Sequence, residues 1–319
     1  MAHVTFIHGI SNKPPANELL KIWLGTLAAD QLGNNDAIDL SALGITSSMV
    51  YWADVLYAES LQDRALESAG DLENNAAVAQ RQAEDVDMSW RGQISGEEKA
   101  VVDALAAKLS FDSLVNDDFK PPHAEADKQL ERIPLPWFVK RRLMKQFLRD
   151  VHHYLFNSQF SPRPGSEYMV QDEIRSRMIK ALNEGAQQPG PHIVVGHSMG
   201  TVIAYDCLKR VAGCPKIDGL MTIGSPLGID EVQDKLKPEW TREDGFPGHT
   251  LGGSWVNVYD KLDPVTGFDG DIDNDFKRGG KEVVEVINEQ NWGEWRHDVT
   301  KYFSGPRLRK ALLELLGEA

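Results

Sequence analysis

Cysteine is nearly absent from this chain: 319 residues carry two, Cys207 and Cys214. Two thiols make no disulfide framework, so a reduced, intracellular pair is expected. No apolar run approaches the ~20 residues that crossing a bilayer takes. The start, Met1 to Ile7, lacks the basic segment and long apolar core of a secretory leader. These features give a cytoplasmic protein as the expectation. Positive charge is short as well: 34 Lys and Arg against 48 Asp and Glu leave a formal charge of −14. Such a surface repels a phosphate backbone, so nucleic acid is not an expected partner and uncharged substrates are favoured. Internal repeats and low-complexity tracts are missing too. The length suits one large α/β domain with an insertion, or two domains.

Metal-ligand spacing is equally scarce. The run Asp269-Gly270-Asp271-Ile272-Asp273-Asn274-Asp275 resembles the start of a calcium loop, but Asn274 stands where the sharp turn needs glycine and no glutamate closes it. A solvated acidic loop is the expectation. His152 and His153, with Asp150 nearby, have no third ligand at metal spacing and read as structural or pocket-lining. No metal and no cofactor are expected.

What is present centres on His192 to Thr201. A short apolar run ends in Gly196-His197-Ser198-Met199-Gly200, and a helical pattern continues through Val211. This is the G-x-S-x-G nucleophile elbow between strand and helix. A turn that tight strains the serine backbone, and a Cβ at Gly196 or Gly200 would collide with the neighbouring strand and helix. The Ser198 hydroxyl is lifted above the sheet edge, and the Met199 N–H sits at a helix N-terminus where an oxyanion can be held.

The rest of the chain alternates strand and helix, which predicts a mostly parallel sheet with ligands at the carboxyl ends of its strands. Strand Val4–His8 ends in His8-Gly9-Ile10, where glycine lets the backbone turn so that the Ile10 N–H faces the serine as a second oxyanion donor. A helix from Glu18 to about Leu32 and a strand over Ile45–Tyr57 follow. From 60 to 165 the chain becomes acidic and helical in flavour, with Pro121, Pro122, Pro134 and Pro136 as punctuation. The capping-box pattern Ser95-Gly96-Glu97-Glu98 opens a helix through Ala107. Trp137–Phe156 reads as a basic amphipathic helix: either a cap with its charged face in water, or an interfacial lid in transient contact with a membrane surface. Helix Glu167–Gln187 leads into the elbow. Strands Lys216–Gly228, Ser254–Asp260 and Glu282–Asn288 come after it, and a terminal helix is clearest over Leu308–Leu316.

Three chemically matched residues fall at strand ends in the order Ser198, an aspartate, His297. A serine alkoxide is out of reach at neutral pH without a base, and a buried carboxylate fixes the base's tautomer. His297 follows the last strand and is preferred to His249, which lies in a long loop. Asp263, in the loop after Ser254–Asp260, is preferred to Asp260, which closes the strand and orients the loop. His8, Gly9, His197 and Ser225 are expected to line the substrate site.

At these residues the chain resembles the α/β-hydrolase superfamily, in particular bacterial serine esterases and lipases of the GPI-inositol-deacylase-like group. The matching stretches are Phe6 to Ile10, Val194 to Val202, Gly224 to Leu227, Asn257 to Val265 and Arg296 to Val299, within 1–57 and 165–319. The resemblance implies an α/β-hydrolase fold lacking its first two strands, with core 1–59 and 166–319 and a helical cap 60–165. It also implies Ser198 as nucleophile, Asp263 as acid, His297 as base, and the Ile10 and Met199 amides as oxyanion donors. The expected activity is hydrolysis of a small-molecule ester or lipid-like substrate through an acyl-enzyme. Thioesterase, peptidase and acyltransferase chemistry on the same triad, and a non-catalytic binding module, stay open. Sequence does not fix the oligomeric state.

Overall fold

The computed structural model describes residues 2–60, 88–108, 137–266, 269–292 and 295–318; within 137–144 only the backbone is described. The elements in chain order are β1 (His3–Ile7), α1 (Ala16–Ala28), β2 (Thr46–Val50), α2 (Ala53–Leu56), α3 (Gly96–Lys108), α4 (Trp137–Leu155), β3 (Gln159–Phe160), β4 (Tyr168–Met169) and α5 (Val170–Gly185). After them come β5 (His192–His197), α6 (Met199–Arg210), β6 (Ile217–Ile223), α7 (Asp230–Lys235), β7 (Leu251–Tyr259), β8 (Val284–Asn288), α8 (Val299–Phe303) and α9 (Pro306–Leu316). Six strands pair in the order β2-β1-β5-β6-β7-β8, every pair parallel, while β3 and β4 form a separate antiparallel pair.

The central strands β1 and β5 are buried at every position. Helices cover both faces of the sheet, so these strands need no polar side. Side chains alternate across it with period two. Ile7, Val194, Leu220 and Trp255 enter one core with α5 and α6. Val4, Phe6, Ile193, Val195, Met221 and Val258 enter the other, with Trp23 of α1, Phe303 of α8 and Leu312 of α9. All six strands run the same way, so the segments after β1, β5, β6, β7 and β8 leave from one edge.

Several elements differ from the sequence pattern. The strand expected over Ile45–Tyr57 stops at Val50, because the Trp52 N–H is taken by His8 Nε2 (3.0 Å) instead of a ladder carbonyl, and Ala53–Leu56 winds into α2. Helix α1 ends at Ala28: Ala29 is extended, and the Asp30 carboxylate accepts the Asn34 and Asn35 N–H groups in a turn of its own. The capping box at α3 is reciprocal, with Ser95 N to Glu98 Oε2 at 2.6 Å and Glu98 N to Ser95 Oγ at 3.2 Å.

Helix α4 departs furthest from expectation. Residues 61–87 and 109–136 of the insertion, with Pro121, Pro122, Pro134 and Pro136, and the side chains of Trp137, Phe138, Lys140, Arg141, Arg142, Leu143 and Met144, lie outside the described residues. From Lys145 to Leu155 every side chain is buried except the half-buried Arg149. Phe147, Leu148, Val151 and Tyr154 join the core that holds α5 and α6. The described half therefore has no solvated charged face. Arg149 pairs with Asp150 (2.9 Å) and lies over the Tyr57 ring (4.5 Å), and His152 stacks on Trp90 (4.5 Å).

Buried imidazoles make this fold acid-sensitive. Burial holds His8 and His153 down at about 3 and His192 at about 4. In the unfolded chain the same groups titrate near about 6.5. Below that value the unfolded state binds protons the folded state refuses, so the stability held above it is lost as pH falls, by about 1.4 kcal/mol per unit for each group. Asp269, pushed up to about 6 by burial and then by Asp275 and Asp271, works the other way. It is one group against three. The melting temperature is expected to stay level from about pH 8 to 7 and to drop steeply between about pH 6 and 5. Thermal unfolding followed by circular dichroism across that range checks this, and a level profile down to pH 5 contradicts it.

Candidate active site

The elbow has the strain its sequence requires. Ser198 takes φ 54°, ψ −130°, a left-handed conformation that L-residues rarely adopt. Its N–H donates to the Ile223 carbonyl of β6 (2.9 Å), and its own carbonyl accepts from the Thr201 hydroxyl (2.7 Å). A Cβ on Gly200 would lie 2.6 Å from the carbonyl oxygens of Ile7 and His8, and one on Gly196 would lie 3.1 Å from Thr201 Cα. The two glycines let α6 start almost in contact with β1.

Three side chains from three strand ends meet here. Ser198 Oγ is 2.8 Å from His297 Nε2. His297 Nδ1 is 2.8 Å from Asp263 Oδ2 and 3.0 Å from Oδ1. All three side chains are buried. The carboxylate also accepts the Val265 N–H at Oδ1 and the Tyr302 hydroxyl at Oδ2, each at 2.8 Å. Those donors point it at the imidazole. Acceptance by Asp263 puts the imidazole proton on Nδ1 and leaves the Nε2 lone pair facing the serine hydroxyl. A hydroxyl, an imidazole and a carboxylate so arranged can pass the serine's proton to His297. Gly224, at φ 57°, passes beneath the pair; a Cβ there would be 3.2 Å from the imidazole.

Asp260 fastens the two segments that bring Asp263 and His297 together. Its carboxylate accepts the Leu262 N–H (2.7 Å) and the Asn291 N–H (2.6 Å) and pairs with Arg296 (3.3 Å). This is the orienting part expected of it. His249 is exposed at the start of β7, a nine-residue strand away from the edge where the triad sits.

Gly9 lies against the nucleophile: a Cβ there would be 2.6 Å from Ser198 Cβ and 3.1 Å from Ser198 Oγ. Ile10 and Met199, the expected oxyanion donors, therefore flank Ser198, Ile10 on the loop that Gly9 begins and Met199 at the first position of α6, whose N–H has no intrahelical acceptor. Gly9→Ala is expected to displace Ser198 by several tenths of an ångström and to lower kcat about a hundredfold. Ester kinetics alongside a melting curve check it; unchanged kcat in folded protein would contradict the close packing.

His8, His197 and Ser225 reach the site, yet their polar atoms turn away from a substrate. His8 Nε2 accepts the Trp52 N–H, so Nδ1 carries the proton and donates to the Gly9 carbonyl (2.7 Å). Its ring stacks on Trp52 at 4.9 Å. His197 Nε2 donates to the His297 carbonyl (2.9 Å), and burial, with His297 beside it, keeps this imidazole well below its ordinary pKa. The Ser225 hydroxyl bonds Thr201 Oγ1 (2.7 Å) and accepts the Leu227 N–H (3.2 Å). These three hold the elbow and the base from behind. Sequence reasoning missed Tyr302, whose phenol is pushed well above its usual range by burial and then by Asp263, and which also accepts the Asp260 N–H (2.9 Å).

The acidic run 269–275 spends its carboxylates singly: Asp271 accepts the Tyr259 hydroxyl (3.0 Å), and Asp275 accepts from Gln233 (2.8 Å) and pairs with Arg242 (2.9 Å). Among the described residues no three His, Cys, Asp or Glu side chains converge as metal ligands, and no helix is long and apolar enough to cross a membrane. Cys207 and Cys214 are free and buried; burial pushes the Cys214 thiol up to about 12.

No protein-family model matches the chain, and no curated protein matches it. Among solved structures it is similar to the crystal structure of an uncharacterized protein from Pseudomonas aeruginosa, at 12% identity and a TM-score of 0.29. The match covers 99% of this chain and 48% of that one, so the chain spans about half the length of that protein.

Proposed function

We propose that the chain is a serine hydrolase of the α/β-hydrolase fold that cleaves carboxylic esters through an acyl-enzyme. The observation that carries the reading is the unbroken series of contacts from Ser198 Oγ through His297 to Asp263, 2.8 Å at each step, on a strained turn at the carboxyl edge of a parallel sheet.

Ser198 Oγ attacks the ester carbonyl carbon as its proton passes to His297 Nε2, and the carbonyl π pair moves onto oxygen. The Ile10 and Met199 amides hold that oxyanion; one such donor is worth about 10²–10³ in rate. The pair then returns, the bond to the alcohol oxygen breaks, and His297 protonates the departing alcohol. Water attacks the acyl-serine, gives its proton to His297, and collapse releases the acid as the proton returns to Ser198 Oγ. Asp263 stabilises the imidazolium throughout without taking its proton.

An apolar acyl group suits the surroundings. Leu262 and Trp292, 55% and 38% exposed, sit on the two segments fastened by Asp260, and the Trp295 ring meets the His297 ring edge-on at 5.8 Å. Fluorophosphonate labelling, with peptide mapping to Ser198, and a panel of p-nitrophenyl esters of rising chain length form the test. Labelling at Ser198 with turnover of at least one ester supports the reading; no labelling and no turnover in folded protein overturn it.

A further inference from the structure

The oxyanion loop is gripped from outside the sheet. Ile10 is followed by Ser11 at φ 74°, a left-handed conformation that a serine keeps only where its surroundings enforce it. The enforcement comes from α4. The Ser11 N–H donates to Asp150 Oδ2 at 2.9 Å, and the Ser11 hydroxyl donates to Gln146 Oε1 at 3.0 Å. Asp150 and Gln146 are four residues apart, one turn on a single face of the helix, so one element holds both polar groups of one residue. The Asp150 carboxylate is fully buried and stays an acceptor because Arg149 pairs with it at 2.9 Å and the Tyr57 hydroxyl donates to it at 3.1 Å. On the other side of Ile10, the Gly9 carbonyl is held by His8 Nδ1–H at 2.7 Å. A trans peptide points its N–H opposite its C=O, so fixing the Gly9 carbonyl fixes the direction of the Ile10 N–H. One turn beyond Asp150, the Tyr154 hydroxyl donates to Asp206 Oδ2 at 2.7 Å, on the helix whose first residue is Met199. Helix α4 thus holds both elements that carry the oxyanion donors.

We infer that Asp150 is a positioning residue for the oxyanion hole: by holding the Ser11 amide it sets the Ile10 N–H against the developing oxyanion, and the insertion is thereby part of the catalytic machinery. The inference rests on the serine-hydrolase reading above. The hydrogen bond is charge-assisted, which makes it about twice as strong as a neutral one. Weakening it loosens a contact needed most in the transition state, so the loss belongs in kcat and not in KM.

The test compares wild type, Asp150→Asn and Asp150→Ala on the best p-nitrophenyl ester. Folded sites are counted from the end point of fluorophosphonate labelling. The expected result is kcat per site down about a hundredfold in the alanine variant and about tenfold in the asparagine variant, which keeps an acceptor, with KM within about twofold. A trifluoromethyl ketone, whose hemiketal oxyanion fills the same hole, is expected to lose affinity in step with kcat/KM, a correlation that general loosening of the fold does not produce. Unchanged kcat per site, or a loss lying wholly in KM, overturns the inference. Should the alanine variant not fold, the asparagine variant decides alone. A wild type that neither labels nor turns over refutes the hydrolase reading instead, so the two failures are told apart.

Discussion

Ser198→Ala is expected to lower kcat/KM on a p-nitrophenyl ester by about 10⁴–10⁶-fold, with KM and the melting temperature close to wild type. The loss is large because nothing nearby can replace the hydroxyl. Ser225, the nearest alternative in the sequence, is bound to Thr201 and to the Leu227 amide and faces the back of the elbow. The stability change is small because alanine keeps the Cβ that packs against Gly9, leaves the strained φ of 54° as it was, and removes one hydrogen bond, to His297. The residue left behind can still bind substrate and hold an oxyanion, which accounts for the residual rate. Steady-state kinetics on active-site-titrated protein, paired with thermal unfolding, measure both halves. Equal activity in the two proteins would remove Ser198 from the chemistry and leave the elbow a structural turn.

Why the elbow was legible and α4 was not is a question of range. Gly196, Ser198 and Gly200 act through atoms fixed by the turn itself and the strand beside it, so the pattern alone carries the geometry. Strands β1 and β5 announce themselves because covering both faces requires an unbroken apolar run. Asp263 and His297 could be placed because parallel strands deliver their ends to one edge. What could not be read depends on partners remote in sequence. The basic residues of α4 suggest a solvated face, yet Arg149 finds Asp150 and the Tyr57 ring, and Asp150 finds the Ser11 amide. Ile45–Tyr57 looks like one strand until His8 takes the Trp52 N–H. His8 and Ser225 were located at the site correctly, but which atoms they bond depends on Trp52, Gly9 and Thr201. Tyr302 lies in a short helix with no distinguishing pattern, and its contact with Asp263 spans 39 positions.

Asp263→Asn is expected to lower kcat/KM by about 10⁴-fold with little change in fold, because it puts the imidazole proton on the wrong nitrogen. The wild-type carboxylate accepts at both oxygens: the Val265 N–H at Oδ1, and the Tyr302 hydroxyl and His297 Nδ1–H at Oδ2. An asparagine has one acceptor oxygen and one NH₂. The Val265 N–H can only donate, so the amide oxygen takes that side and the NH₂ faces Tyr302 and His297. The phenol has a lone pair to offer in return, while His297 can meet an N–H only by presenting a bare Nδ1. Its proton then moves to Nε2, the atom that must receive the proton of Ser198. The nucleophile, the oxyanion donors and the 2.8 Å Ser198–His297 contact can all persist while the base is spent. Raising the pH should restore part of the rate by letting hydroxide take the proton, giving a profile that climbs where the wild type is level. Tyr302→Phe, which removes one donor to Asp263 and leaves the tautomer intact, should cost tenfold or less on the scale of a single hydrogen bond, about 1 kcal/mol. If the asparagine variant loses no more than the phenylalanine variant, the tautomer is not what Asp263 controls, and its role is packing.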